Sequence, residues 1–117
     1  MQHNKYFMSC KFQSLYYGDA GYVVKCNKCG CYQVAYISTL LNLTRHNFRA
    51  LCSLVQCKCG EADYIMAGNK KTVVLQTSAD GICLLLTRQE LLGLHKILQE
   101  ADNEEKALSL ISLFNRQ

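Results

Sequence analysis

Eight cysteines stand at positions 10, 26, 29, 31, 52, 57, 59 and 83. Two clusters among them carry chemistry, Cys26-Asn-Lys-Cys29-Gly30-Cys31 and Cys57-Lys-Cys59-Gly60. In a Cys-x-x-Cys-Gly turn the glycine permits the positive φ that closes the loop, and the two sulfurs converge on one point. A tetrahedral zinc ion, with Zn–S of ~2.3 Å, takes such a pair as half of its coordination shell. In an oxidising compartment the even count would instead read as a disulfide framework. The opening Met1–Cys10 stretch has no apolar export segment, so the expected setting is the reducing cytoplasm, where thiols serve as metal ligands or small buried hydrophobes.

Strand geometry selects among the thiols. Lys11–Tyr17 and Tyr22–Cys26 read as strands flanking the turn Gly18-Asp-Ala-Gly21. Pairing Tyr17 with Tyr22 sets Cys10 opposite Cys29, beside the Cys26–Cys29 turn. The expected structural zinc site is therefore Cys10, Cys26 and Cys29, with a fourth ligand left open among Cys31, Cys57, Cys59 and His46. Spacing alone favours two knuckles, Cys26/Cys29 and Cys57/Cys59. A helix from Arg45 to Gln56 would span ~18 Å and carry its end away from its start, which argues against that set. Cys52 and Cys83 read as core filler, His95 as a partly buried structural histidine, and His46 more simply as an exposed residue of a first helical turn.

A redox role for Cys26/Cys29 is a weaker alternative. Reactive Cys-x-x-Cys thiols usually sit at a helix N-terminus, whose dipole lowers the thiol pKa, and the residues after Cys29 read as strand. A second alternative is nucleic-acid binding. Residues 1–71 hold nine Lys/Arg against three Asp/Glu, and eight of the eleven aromatics lie in the first 36 residues. Tyr16, Tyr17, Tyr22, Tyr32 and Tyr36, interleaved with Lys11, Lys25 and Lys28, could stack bases and neutralise phosphates. The net charge of +4 is modest for that task. No Ser/His/Asp set, paired-carboxylate motif, phosphate loop or HExxH appears, so no enzyme is expected.

The elements that must position these residues follow from periodicity. Gln33–Ile37, a turn at Ser38-Thr39 and Leu40–Leu43 read as a hairpin, followed by a helix capped by Thr44. Thr72–Thr77, the turn Ser78–Gly81 and Ile82–Leu86 read as another, followed by a helix opened by the capping box Thr87-Arg-Gln-Glu90 and running to about Ala101. A shift of 43 positions superposes Leu41-Asn-Leu-Thr-Arg45 on Leu84-Leu-Leu-Thr-Arg88, an internal repeat over about 32–56 and 72–101. Residues 57–71 read as a linker. Glu104–Phe114 reads as a separate C-terminal helix, for a dimer contact or to complete the core.

The chain resembles a family of small bacterial proteins of unknown function. Cys10, Cys26-Asn-Lys-Cys29, Lys71-Thr-Val-Val-Leu-Gln-Thr77 and Leu86-Thr-Arg-Gln-Glu-Leu-Leu-Gly-Leu94 carry the resemblance, over residues 10 to about 101. It implies no activity, and Cys57-Lys-Cys59 is not part of its pattern. The expected architecture is a single α+β domain of 117 residues, an antiparallel sheet from two ββα-like halves with an added zinc-knuckle-like hairpin. The helices should cover one face through Phe48, Leu51, Val55, Leu91, Leu94 and Leu98. The expected role is a non-enzymatic interaction module, with a protein partner or self-association preferred to nucleic acid. No apolar run approaches the ~20 residues that span a bilayer, so no membrane role is expected.

Overall fold

Alternation of apolar and polar residues produces the first layer. The computed structural model describes residues 11–61 and 70–115. Strands β1 (Phe12–Tyr17), β2 (Gly21–Cys26), β3 (Tyr32–Tyr36) and β4 (Thr39–Leu43) form an antiparallel meander in chain order. Val23, Val34, Leu43 and Tyr32 project to one face and are buried; Val24, Gln33 and Asn42 alternate to the other. Two helices follow: α1 (Arg45–Cys59) after β4, and α2 (Arg88–Phe114) after the hairpin of β5 (Val73–Gln76) and β6 (Cys83–Leu86).

The α+β antiparallel expectation stands, with each ββα half keeping its own sheet: β5 and β6 form a separate two-stranded ladder. Leu75 and Leu86 point into the core, while Val74 and Leu85 face out. Both helix starts are capped as the threonines predict. Thr44 Oγ1 accepts the Asn47 N–H at 3.1 Å. Thr87 Oγ1 accepts the Glu90 N–H at 3.0 Å, and Glu90 Oε1 accepts the Thr87 N–H at 2.8 Å, closing the reciprocal box. The core-facing residues expected on both helices, Phe48, Leu51, Val55, Leu91, Leu94 and Leu98, are all buried.

Three boundaries differ from the sequence expectation. The helix expected to end at Ala101 and the one expected from Glu104 are a single 27-residue helix, α2. Asp102-Asn103 holds neither glycine nor proline, and Asp102 accepts hydrogen bonds or ion pairs from Arg49 and Lys106, so nothing breaks the helix there. Helix α1 continues through Cys57-Lys-Cys59, which shortens the expected linker; residues 62–69 of that linker lie outside the described residues. The β3–β4 turn is centred on Ile37 and Ser38, because Tyr36 pairs with Thr39.

That turn is strained. Ile37 has φ +54°, a left-handed conformation that β-branched residues avoid. The Tyr36 side chain beside it runs inward, donating its hydroxyl to the Glu90 carbonyl at 2.7 Å. Gly93 makes room for it, since a Cβ there would stand 2.6 Å from the Tyr36 hydroxyl. At Ile37, replacement by glycine removes roughly 1–2 kcal/mol of left-handed strain and returns ~0.5–1 kcal/mol through the freer unfolded chain. Ile37→Gly is therefore expected to stabilise the fold by about 0.5–1 kcal/mol, read as a higher urea midpoint at unchanged m-value.

Candidate metal centre

Strand β2 ends on Cys26 and β3 begins at Tyr32, which leaves five residues to reverse the chain. The reversal is tightly bonded. The Cys26 N–H donates to the Cys31 carbonyl at 2.8 Å, and the Gly30 N–H donates to the Cys26 carbonyl at 2.9 Å. Gly30 takes φ +76°, the conformation its lack of a Cβ permits. The effect is on the sulfur. Cys26 Sγ accepts the backbone N–H groups of Lys28 and Cys29, each at 3.3 Å. Both donors belong to the turn itself, so the turn fixes where the sulfur sits. Cys26 is fully buried, Cys31 half-buried and Cys29 exposed. The Cys31 thiol is pushed above its ordinary value by burial, then by a hydrogen bond and charge interaction with Cys29 and by the nearby Cys26. These three sulfurs thus share one neighbourhood.

Cys10 lies outside the described residues, so its expected position opposite Cys29 does too. The chain next to it is described: the Lys11 carbonyl accepts the Asn27 N–H at 3.0 Å. The expected register holds at the turn, where Tyr17 pairs with Tyr22, and then shifts by one residue between Ser14 and Tyr16. The bulge sets Phe12 across from Cys26 instead of Asn27. Among the described residues no three His, Cys, Asp or Glu side chains form a group able to hold a metal ion.

The other candidates are dispersed. Cys57 and Cys59 occupy the last turn of α1, where Cys59 offers its carbonyl to Arg88 at 3.5 Å. Arg49, near the other end of α1, pairs with Asp102 at 2.6 Å. The two helices therefore run antiparallel. The knuckle lies at the Asp102 end, because Lys25 beside Cys26 reaches Glu105. A 15-residue helix of ~22 Å separates it from Cys57 and Cys59. His46 is exposed in the first turn of α1, at the knuckle end. Cys52 is half-buried against the core, its thiol pushed up to about 11 mainly by burial, and His95 is half-buried beside it. Cys83, expected as core filler, is instead exposed, with its thiol against Gln76. In β6 it is Leu84 and Leu86 that alternate inward.

Sequence reading missed the group that anchors this end. Glu105 is buried, accepting the Tyr32 hydroxyl at 2.6 Å and Lys25 Nζ at 2.8 Å on one oxygen, with Arg49 at 3.9 Å from the other. The signal was present, since Leu98, Ala101 and Glu105 continue one helical stripe. Tyr32 stacks on Phe48 with ring centroids 4.2 Å apart. Burial and the Glu105 hydrogen bond push the Tyr32 hydroxyl up to about 12. Lys25, Tyr32 and Tyr36, three members of the expected nucleic-acid face, are thus engaged in internal contacts. Tyr17 and Tyr22, stacked at 6.3 Å, remain on the outer side.

Comparison with known proteins adds a family. The chain belongs to a family of unknown function, DUF6686, which matches residues 8–115. No curated protein and no solved structure matches it.

Burial raises the Glu105 carboxyl, but the hydrogen bonds from Lys25 and Tyr32 and the charges of Lys25 and Arg49 outweigh it and hold the group below its ordinary value. A carboxylate depressed in the folded state adds stability that is complete above the unfolded value of ~4.3 and vanishes as pH falls through the lower folded value. Glu105→Gln is expected to cost about 2 kcal/mol at pH 7. It should also flatten the acid limb of the melting temperature below pH 5, measured by circular dichroism across pH.

Proposed function

We propose that the protein is a small non-enzymatic interaction module whose first hairpin is clasped by a structural zinc ion. The ligands in this reading are Cys10, Cys26, Cys29 and Cys31. The observation that carries it is the pair of backbone N–H groups on the buried Cys26 sulfur. A thiol that served only as core filler would have no need of two donors, whereas a metal-bound thiolate is stabilised by such N–H hydrogen bonds to its sulfur. Cys31 is favoured as the fourth ligand because it interacts with both Cys26 and Cys29, while Cys57 and Cys59 lie at the opposite end of α1. The Lys11–Asn27 hydrogen bond supports Cys10, because it holds the residue next in sequence against the knuckle. Zinc here would tie the N-terminal strand to the turn and neutralise the thiolates, contributing folding free energy without a reaction.

Protein purified without chelator under reducing conditions should contain about one zinc per chain, and stripping the metal should lower its melting temperature. Cys26→Ser should lose the metal; Cys57→Ser and Cys59→Ser should retain it. Metal-free protein that instead cycles a Cys26–Cys29 disulfide would replace this reading with a redox one.

A further inference from the structure

Leu108 is the last α2 side chain that packs against the core, and among the described residues nothing covers the apolar side chains beyond it. The last buried residue of α2 is Glu105; beyond it Leu110 is 58% exposed, Leu113 59% and Phe114 79%. Lys106, Leu110, Leu113 and Phe114 recur at helical spacing and form one face. That face borders an open cavity of about 410 Å³ whose lining includes Lys25, Arg45, Arg49, Glu105, Lys106 and Leu110. The cavity is positive on balance. Of its four cations, Lys25, Arg49 and Lys106 pair with the carboxylates of Glu105 or Asp102, and Arg45 forms no ion pair among the described residues. Within the helix itself the last turn carries no basic side chain, which leaves the partial negative charge of its carbonyls uncompensated there.

We propose that this overhang is a homodimer interface, in which the C-terminal segments of two α2 helices pack antiparallel across a two-fold axis near Leu110. In that arrangement residue 106 of each chain lies across from residue 114 of its partner. Phe114 of each copy then reaches the partner's cavity, and each carbonyl terminus meets the partner's Arg45 and Lys106. Apolar contact and charge complementarity are satisfied by one symmetric operation, as an isologous interface requires. The area fits a weak dimer. Leu110, Leu113 and Phe114 on this face, with Ile111 at its edge, leave on the order of 500 Å² uncovered per chain. Two copies therefore bury at most about 1,000 Å², the lower end for a specific interface.

Sedimentation equilibrium of the full chain across roughly 1–200 µM should give a dimer with micromolar dissociation. Phe114→Glu and Leu110→Glu should each weaken it about tenfold or more. Both side chains are exposed within the chain, so the circular dichroism spectrum and the zinc content should be unchanged. Lys106→Glu should also weaken it, which a purely apolar contact would not show. A chain monomeric at every concentration overturns the inference. So does a dimer insensitive to both apolar substitutions, or a monomer that uses this face to bind phosphatidylcholine vesicles.

Discussion

One buried carboxylate joins every layer at the knuckle end of the molecule. Glu105 of α2 takes a hydroxyl from β3 and an ammonium from β2, and it faces a guanidinium from α1. A carboxylate removed from water is costly unless it is charged against cations and hydrogen-bonded. Those conditions constrain Lys25, Tyr32 and Arg49 together, so the helix can sit against the sheet in only one rotation and at only one height. The ordered knuckle depends on this, since Lys25 is the residue before Cys26 and Tyr32 the residue after Cys31.

Local chemistry made much of the fold legible. Thr44 and Thr87, 43 residues apart, both cap helices, and each opens a buried apolar stripe, Phe48-Leu51-Val55 in one and Leu91-Leu94-Leu98 in the other. Those signals lie within a few residues of one another, so periodicity alone finds them. Boundaries that depend on distant partners were not legible. The helix passes through Asp102 because Arg49, 53 residues away, neutralises it. The β1–β2 register begins as the turn dictates and then shifts at a bulge for which the sequence carries no glycine or proline marker.

The candidate site was legible to the same extent. Cys26-Asn-Lys-Cys29-Gly30 was identified as a turn because glycine spacing is a local rule, and the positive φ of Gly30 follows it. Cys57-Lys-Cys59-Gly60 has nearly the same letters, yet it finishes a helix, with Gly60 in a right-handed conformation. The difference lies upstream: Phe48, Leu51 and Val55 drive helical burial up to that point, whereas β-branched Val23 and Val24 precede the knuckle. Cys83 misled because its neighbours are all apolar, while a two-stranded sheet buries only one of its faces.

The unbroken run of α2 has a mechanical consequence. Its first turns meet both the β5–β6 hairpin and Tyr36 of β3, and its later ones the four-stranded meander, so a single rod is shared by two sheets that exchange no ladder hydrogen bonds among the described residues. Amide protons of the small hairpin and of the large sheet are therefore coupled to one opening event along the rod's middle, near Leu94–Ala101. Stiffness along this axis makes the two ββα halves one cooperative unit, in place of two that could fray separately.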